Sequence, residues 1–507
     1  MKRPSSSNTV ATKTHSATWV SGHTAQLNLV WMKAYILIFS ILIGIATSCT
    51  DYLEFPPEQE VPVTQFFHTE ADAQKAVNAM YGYLRWWDIS AFNYLILGSL
   101  PSGDILKGSS PGDGSWANEF VNYQFSKTNI QIQDFWSSRY KGINLSNQVL
   151  SNVPDISMDA GLKVRMIAEA KFMRAFHYFY LVRAFGGVPL IAQVPMGPEG
   201  LVRTTAAQTW NFIAQDLIDA IPGLPATVPP AEYGRTTQWA AKALLAKTYM
   251  YQENWPQCKA VSDDVINNGP FDLYPDFYQL FRPEQEFCAE SIFEIVATQV
   301  PGNGDLSNSQ FAEIQGVRGQ FGWGWFVPSD ALAAAFDLAS DTVRKKVTIL
   351  YLGDTTEDGD KIAGNVVMEG VTIPRYNGKA YVPSRIPKGT APYGCDQNIR
   401  VLRFAEILLI NAEAAIHEGG DAATPLNRVR ARANLTAIAN PTLENIWDER
   451  HLELAGENDR FWDLIRTGKA ASELAKYGFE EGKHKLYPIP QKEIDLSGGK
   501  VEQNPNW

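Results

Sequence analysis

Apolar residues recur at the three- and four-residue spacing of amphipathic helices along most of this 507-residue chain. A first helix begins at the capping residue Thr69, carries acids at Glu70 and Asp72, and continues to Leu84. Further helices are predicted at about 134–152, 158–185, 205–221, 236–252, 256–268, 328–337, 398–418, 422–434, 442–456 and 459–467. Strand-like segments are few: 188–191, 292–298 and 366–373. The predicted fold class is mostly α, with minor short β.

Three of the predicted helices mix alanine with aromatic residues and end near glycine or asparagine. Their sequences are AEAKFMRAFHYFYLVRAFGG, AAKALLAKTYMYQENW and LRFAEILLINAEAAIHEGG, and WPQCKAVSDDVINNG follows the second as a further helix. Small and large side chains that interlock across a short turn are typical of tetratricopeptide-like helix pairs. The spacing of the pairs is irregular. We therefore predict such pairs joined by long irregular loops.

The first of these helices has the residue pattern of a buried core helix rather than that of a binding site. Its aromatic residues repeat at helical spacing, which indicates packing inside the protein. His177 has no His, Cys or carboxylate one turn away that would complete a metal site, so we expect a packed or capped side chain. Gly186 and Gly187 precede Val188-Pro189 and predict a helix end followed by a turn.

An apolar run from Ala34 to Ala46 follows Met32-Lys33 near the N-terminus. Its length fits the apolar region of a signal peptide, typically 7–15 residues, and falls short of the roughly 20 needed to span a membrane. A short buried helix is the alternative. Small residues at 46–48 precede Cys49, as in a bacterial lipobox, which predicts that Cys49 is lipidated. A buried core cysteine is the alternative there.

These features divide the chain into four segments. Residues 1–31 are polar and lack acids, so Met32 is the expected start and 1–31 a non-native or unstructured extension. Residues 32–48 form the signal peptide, 49–65 the lipid anchor and a proline-bearing tether, and 66–507 one helical domain.

Charge and cysteine content exclude several functions. The chain has a formal charge of −11, and removal of 1–48, which holds four basic residues and no acids, leaves 40 basic against 55 acidic residues, or −15. Such a chain has no basic surface for nucleic acid. With Cys49 lipidated, three cysteines remain, Cys258, Cys288 and Cys395, an odd number that argues against a disulfide framework. No metal-binding spacing of Cys or His occurs, and no cofactor is expected.

Catalytic motifs are missing as well. The segment DERHLELAGENDRFWDLIR crowds acids together, but it lacks the His-Glu-x-x-His arrangement of a zinc hydrolase. Charges three and four residues apart, such as Asp459 and Asp463 beside Arg460 and Arg466, more often form a solvated or salt-bridged helix face. No glycine-rich phosphate loop and no nucleophile motif is present. We therefore predict that the protein is not an enzyme.

Candidate binding residues lie in long segments rich in glycine, proline and aromatic residues, at 86–133, 299–327 and 351–397. Sugars present apolar C–H faces alternating with hydroxyls, so a sugar site needs flat aromatic rings edged by polar groups. Trp323 and Trp325 in GVRGQFGWGW, and Trp116 among glycines, offer such rings; packing onto the helix near Pro328 is the alternative for the first two. The candidate ligand-binding residues are Trp116, Asn118, Trp323, Trp325, Asp104, Arg85 and Trp86. Trp87 flanks the same expected surface, and one ring of the Trp86-Trp87 pair is expected to turn inward.

Six segments, in order, resemble the SusD/RagB family of nutrient-binding lipoproteins of the Bacteroidetes outer membrane. They are CTDYLEFPPE, EAKFMRAFHYFYLVRAFGGVPLI, GRTTQWAAKALLAKTYMY, LRFAEILLINAEAA, DERHLELAGENDRFWDLIRTGK and LYPIPQKEIDLSGGKVEQNPNW. The resemblance covers residues 49–507 and implies a SusD-like helical fold without catalytic activity. It also implies a lipid anchor at Cys49, a position on the outer face of the outer membrane, and delivery of an oligosaccharide or other nutrient to a SusC-like TonB-dependent transporter.

Two other functions stay open at this point. A helical-repeat scaffold that organises surface proteins would need no nutrient site, and a receptor for peptides would use a similar surface. Tryptophans in the loops favour a glycan over both. A lipoprotein hydrolase has no positive indication in the sequence.

Overall fold

The computed structural model describes residues 66–194, 201–297, 310–364, 367–368, 371–372, 375–386 and 397–507. Residues Phe67–Trp507 form one compact unit. Its helices are α1 Glu70–Leu84, α2 Phe92–Gly98, α3 Asn118–Val121, α4 Ile130–Asn152, α5 Ala160–Phe185, α6 Ala206–Ala220, α7 Gln238–Tyr251, α8 Trp255–Asn268, α9 Phe311–Gln315, α10 Asp330–Leu338, α11 Thr342–Thr348, α12 Phe404–Glu418, α13 Ala423–Arg432, α14 Leu443–Glu453, α15 Arg460–Arg466, α16 Ala470–Leu474, α17 Glu481–His484 and α18 Gln491–Leu496.

The strands are short and pair two by two in antiparallel fashion. They are β1 Ile105–Gly108, β2 Ser291–Ile295, β3 Trp325–Pro328, β4 Ile349–Tyr351, β5 Val367–Met368, β6 Val371–Thr372, β7 Arg375–Asn377 and β8 Ile399–Arg403. The pairs are β1 with β3, β2 with β8, β4 with β7, and β5 with β6. The β1–β3 and β2–β8 pairs join segments more than 100 residues apart in the chain.

Helices that follow one another pack against one another. Helix α5 packs against α4 and α6, α7 against α6 and α8, and α12 against α8 and α13. The aromatic residues of α5 lie in the main core, as predicted, with Phe172 and Phe179 at most 2% exposed. The mostly helical fold class, with helix pairs and few short strands, is thus confirmed.

The turn after α5 also follows the prediction. Gly186 has a φ of +71°, in the left-handed region that favours glycine. A Cβ atom on Gly187 would lie 1.8 Å from the carbonyl oxygen of Thr204, so only glycine fits there. His177 is buried as predicted, against Gly142 of α4, and burial holds the pKa of its imidazole well below the usual value.

Two of the predicted elements are wrong in type. Residues 399–403, assigned to the start of a helix, form β8 because they pair with β2, and the helix begins only at Phe404. The segment 188–191 is not a strand: it contributes an isolated bridge between Pro189 and Arg203. The remaining long helices begin and end within about four residues of their predicted bounds. The signal peptide, Cys49 and the tether lie outside the described residues, as does Cys395.

The predicted cap of α1 is present in full. Thr69 Oγ1 accepts from the backbone N–H of Asp72 at 3.3 Å, and the Asp72 carboxylate accepts from the N–H of Thr69 at 3.1 Å. We expect Thr69→Ala to lower the free energy of unfolding by about 1 kcal/mol, because the N–H of Asp72 loses its side-chain acceptor and the Asp72 carboxylate loses the Thr69 hydroxyl. Urea unfolding followed by circular dichroism measures this, with Thr128→Ala, outside any helix, as the control. Equal stability of the two variants would contradict the cap's contribution.

The acids of the DERHLELAGENDR segment form a buried network rather than a solvated face. Glu453 lies within 3.1 Å of both Arg344 and Arg403, and also pairs with Arg432. Asp463 pairs with Arg466 at 2.7 Å and Arg450 at 3.2 Å. The arginines hold the pKa of Glu453 and of Asp463 well below the usual range, against the cost of burial. The ion pairs join α11, α13, α14, α15 and β8 inside the protein.

Two observations bear on the remaining sequence predictions. The thiols of Cys258 and Cys288 are free. In the parts of the chain that the structure describes, no helix is long and apolar enough to cross a membrane, and no three His, Cys, Asp or Glu side chains are grouped to hold a metal ion.

Candidate ligand-binding site

A cleft of about 570 Å³ opens beside the β1–β3 pair. Its lining combines four aromatic side chains with two charged ones and two glycines: Trp87, Phe92, Trp323, Trp325, Asp113, Arg318, Gly319 and Gly322. The residues come from three separate segments of the chain. We call this the aromatic cleft.

Phe92 is the centre of the aromatic lining. Trp87 stacks on it at 4.9 Å between ring centroids, and Trp325 meets it edge-on at the same distance. Trp87 and Trp323 lie 6.1 Å apart with their planes inclined by 46°. Both of these tryptophans are half-buried, so part of each ring faces the cleft. Two inclined, partly exposed indole rings form an angled platform for a flat apolar surface.

A π-helical turn positions Trp87 over Phe92. The turn spans Trp87–Ala91, and the N–H of Phe92 donates to the carbonyl of Trp87, five residues earlier. In an α-helix a side chain lies over those three and four residues away, whereas this wider turn brings residues five apart onto one side. Single π-turns of this kind are frequent at functional sites.

Polar groups form the rim of the cleft. Arg318 donates to Ser109 Oγ at 2.6 Å and to the Trp323 carbonyl at 3.0 Å, and its guanidinium lies 3.6 Å from Asp113. Ser109 in turn donates to Asp113. These bonds fix the guanidinium and the carboxylate next to the indole of Trp323. Both stay partly exposed, Arg318 by 30% and Asp113 by 45% of the side chain, so each has hydrogen-bonding capacity left for a ligand.

Lys107 supports the cleft from behind. Its ammonium donates to the carbonyls of Ser110 and Asp113 at 2.7 and 2.8 Å and lies 4.7 Å from the centre of the Trp325 ring. Burial lowers the pKa of the Lys107 ammonium, while the nearby Asp113 carboxylate raises it. Lys107 thus holds the loop that carries Asp113 and fixes the indole of Trp325.

Two residues with a left-handed backbone lie at the strands beside the cleft. Ser109, directly after β1, and Phe326, in β3, have φ values of +51° and +55°, in the left-handed region that non-glycine residues rarely adopt. Such residues cost of order 1–3 kcal/mol each and cluster at ligand sites. Gly114 has a φ of +57° as well, and a Cβ atom there would lie 2.5 Å from the Trp325 ring.

The predicted tryptophans meet around this cleft. Trp323 lines it. Trp325 borders it from below, only 4% exposed, since it packs against Phe92 and Phe326. Trp116 is half-buried and meets Phe92 edge-on at 5.9 Å, but it does not line the cleft itself. Asn118 is exposed at the first residue of α3.

Three predicted site residues lie apart from the cleft. Asp104 is buried, 5% exposed, and accepts a hydrogen bond from His451 at 2.8 Å, so its carboxylate has a structural partner and faces no ligand surface. Arg85 lines another groove. Trp86 is 48% exposed, stacks on Tyr83 at 6.1 Å, and has the ammonium of Lys141 5.3 Å from its ring centre.

Sequence reasoning missed Phe92, Asp113 and Arg318 as lining residues, and it placed Trp87 only at the flank of the expected surface. The pair Trp86-Trp87 carried a signal, because one of two adjacent rings was expected to turn inward, but only the π-turn decides which one faces the cleft. Asp113 and Arg318 sit inside the two segments that were selected for their tryptophans.

Family models match both halves of the chain. The model described as "SusD family" matches residues 289–507, and the model described as "Starch-binding associating with outer membrane" matches residues 51–250. Together they cover every helix named above except α8 and the last residue of α7. The chain belongs to the SusD/RagB family.

Relatives in this family extend over nearly the whole chain. "SusD-like protein P2" from Formosa agariphila is 27% identical over 94% of this chain and 100% of its own length. "Starch-binding protein SusD" from Bacteroides thetaiotaomicron is 23% identical over 66% of this chain and 71% of its own length.

Solved structures of SusD-like proteins share the fold. A "Laminarin binding SusD-like protein" superposes with a TM-score of 0.77 at 29% identity, covering 87% of this chain and 100% of its own. "Surface glycan-binding protein A" from Bacteroides thetaiotaomicron, solved with laminarihexaose, gives a TM-score of 0.74 at 26% identity, covering 86% and 99%. These relatives are described as binding proteins rather than enzymes.

Proposed function

We propose that this SusD-family protein binds a glycan in the aromatic cleft, without cleaving it. The observation that carries the proposal is the pair of inclined, half-exposed indoles of Trp87 and Trp323, edged by Arg318 and Asp113. Indole faces match the apolar C–H faces of sugar rings, and the charged rim supplies donors and acceptors for hydroxyl groups. Each stacked ring contributes on the order of 1 kcal/mol, which gives micromolar to millimolar affinity.

The names of the relatives support this assignment. One similar structure is of a laminarin-binding protein, another holds laminarihexaose, and a curated relative is named for starch. All three are at most 29% identical to this chain. The proposal therefore names a glycan as the ligand, and the titration below identifies its linkage. Because a carrier must release its ligand, weak binding suits the function.

Delivery to a SusC-like TonB-dependent transporter completes the proposed function. In this proposal Cys49 carries the lipid anchor, 49–65 forms the tether, and 66–507 faces the cell exterior on the outer membrane. The apolar run before Cys49 and the family model named for association with the outer membrane support this placement. The acidic charge of the chain fits a surface protein that does not bind nucleic acid.

Isothermal titration of the purified full-length chain in detergent tests the glycan assignment. The panel begins with laminarihexaose and malto-oligosaccharides and extends to other neutral glycans. We expect saturable binding to one class, and we expect Trp323→Ala to weaken it roughly fivefold to tenfold, since one stacking face is lost. The matched control is Trp255→Ala, which removes a half-buried indole that stacks on His417 outside the cleft.

The pattern of losses decides between the functions. Weaker glycan binding by Trp323→Ala, together with normal glycan binding by Trp255→Ala, supports a glycan receptor whose site is the aromatic cleft. Equal glycan affinities of wild type and Trp323→Ala would show that the ligand binds outside the aromatic cleft. No binding to any glycan, together with binding to a peptide library, would favour a peptide receptor. No ligand at all would favour the scaffold function.

A further inference from the structure

A second groove lies at the C-terminal end of α1. It consists of two adjoining hollows of about 300 and 230 Å³ that share Tyr233, Gly234, Arg235 and Glu294. Arg85 lines the larger hollow, and Phe287 the smaller one. We call this the Arg85 groove. It shares no lining residue with the aromatic cleft.

Arg85 supplies a positive charge without a partner in this groove. Its guanidinium is half-buried and makes no hydrogen bond or ion pair with any residue that the structure describes. Burial lowers the pKa of Arg85, and no carboxylate acts against that shift. An arginine remains protonated under these conditions, so the charge persists at neutral pH.

The other charges in the groove are already paired. Arg235 donates to Glu169 at 2.9 Å and to Asn78 at 2.6 Å. The Glu294 carboxylate is fully buried and accepts from the Phe287 N–H at 3.1 Å and from Asn398 at 2.8 Å, as well as from Ser291. The groove therefore presents one excess positive charge, at Arg85.

Tyr233 gives the groove an aromatic surface beside this charge. The side chain is 48% exposed and lies between the two hollows, with its ring 5.0 Å from that of Phe287. The chain turns directly after Tyr233, at Gly234, which has a φ of +92°. A Cβ atom on Gly234 would lie 2.2 Å from the Val296 side chain, so the turn requires glycine. An exposed ring next to an unpaired guanidinium suits a sugar ring that carries an oxyanion, because the guanidinium fork matches carboxylate and sulfate groups.

The groove is adjacent to the aromatic cleft along the chain. Arg85 lines the groove and Trp87 lines the cleft, so their Cα atoms are at most about 7.6 Å apart. Trp86, 48% exposed, stands between them in sequence. This short spacing is what the proposal uses to connect the two sites through one glycan chain of several residues.

We propose that the Arg85 groove is a second subsite, which binds a uronate or sulfated sugar residue of the glycan held in the aromatic cleft. The inference rests on the proposed glycan-binding function and adds a ligand class to it: an anionic glycan, long enough to extend past Trp86. Arg85 contacts the oxyanion, and Tyr233 contacts the face of the sugar ring.

Affinity electrophoresis and titration of the purified full-length chain test this subsite. Three arms are compared: uronate-bearing polygalacturonate, alginate and hyaluronate; sulfated carrageenan and chondroitin sulfate; and neutral laminarin and starch. A fourth arm adds sodium sulfate as a free anion. The variants are Arg85→Ala, Arg85→Lys, Trp323→Ala and, as a charge-matched control, Lys346→Ala. Lys346 is exposed, pairs with Glu357 and lines neither site.

We expect at least one anionic glycan to bind wild type roughly tenfold more tightly than Arg85→Ala, because a charge-assisted hydrogen bond is lost. Arg85→Lys should fall between the two, and Lys346→Ala should match wild type. Higher salt should reduce the difference. Since Arg85 has no partner among the described residues, thermal unfolding of Arg85→Ala should match that of wild type, which separates lost contacts from lost folding.

The remaining outcomes overturn the inference in distinguishable ways. If Arg85→Ala binds every anionic glycan as wild type does, the second subsite is wrong, whatever the neutral arm shows. If Trp323→Ala alone then loses binding to the neutral glycans, the proposed glycan-binding function is still supported, without the second subsite. Competition by free sulfate as strong as that by the glycans would exclude a sugar subsite. Absence of binding in all glycan arms would overturn both proposals.

Discussion

Replacement of Arg403 by alanine is expected to lower the free energy of unfolding by about 3–5 kcal/mol, the typical cost of removing one partner from a buried ion pair. The Arg403 guanidinium is 1% exposed and lies 2.5 Å from Glu290, 3.0 Å from Glu453 and 2.7 Å from Glu457. These carboxylates hold the pKa of Arg403 well above its usual value. Without it, the buried carboxylates of Glu290 and Glu453 and the partly exposed carboxylate of Glu457 lose a shared counter-charge. Guanidinium unfolding followed by fluorescence measures the loss.

Matched variants separate this effect from the loss of any surface charge. Lys485→Ala removes an exposed lysine that pairs with Glu481 at 2.7 Å, and such pairs contribute about 0–1 kcal/mol. Arg403→Lys keeps the charge but loses the forked donors of the guanidinium, so its free energy of unfolding should lie between those of wild type and Arg403→Ala. If the alanine variant does not fold, the lysine variant tests the same prediction. A change below about 1 kcal/mol in Arg403→Ala would show that the network contributes little to stability.

Gly108→Ala is expected to disrupt the aromatic cleft without altering any residue that lines it. Gly108 ends β1 opposite Trp325, and its φ is +69°, a conformation that costs an L-residue about 1–2 kcal/mol. A Cβ atom there would also lie 2.3 Å from the carbonyl oxygen of Gly324. Relief of that clash requires β1 and β3 to separate, which moves Trp325. We expect lower stability and loss of most glycan affinity.

Gly112→Ala is the control for this prediction. Gly112 lies four residues further along the same segment; a Cβ atom on it would meet no other atom within 4 Å, and its φ is not positive. Its substitution should leave both stability and glycan affinity unchanged, because added volume meets open space. Normal glycan binding by Gly108→Ala would show that the β1–β3 contact does not shape the ligand site.

Local chemistry determined which parts of the fold were predictable. The cap at Thr69 and the left-handed turn at Gly186 depend on neighbours a few residues away, and both were predicted. Helix α5 was predictable because its apolar residues continue on every side. In contrast, residues 399–403 pair with β2, more than 100 residues earlier, and a single sequence does not show that pairing.

The buried charges illustrate the same limit. Spacing along α14 and α15 indicated charges on a helix face, and the prediction of salt bridges agrees with the structure. The partners Arg344, Arg403 and Arg432 lie on other elements, so burial of the network could not be derived from the spacing. Long-range contacts decided whether these acids face solvent or the core.

The residue types in the sequence predicted the position of the candidate site better than they predicted which side chains line it. Tryptophans in glycine-rich segments were selected for their chemistry, and Trp323 does line the cleft. Asp104 was selected from its neighbours in the chain, but its bond to His451 comes from α14, some 350 residues away. The inward turn of Trp87 depends on a π-turn that no periodicity reveals.

The buried charge network has a consequence for the order in which the protein folds. Arg344, Arg403 and Arg432 precede Glu453 and Glu457 in the chain, and Glu290 precedes all of them. While the chain is being synthesised from its N-terminus, the three arginines are present before α14, and the acids available to them are Glu290 and Asp341. The three arginines are fully paired only when α14 emerges, and an unpaired charge is costly to bury. The C-terminal half of the protein therefore completes its folding only after nearly the entire chain is available.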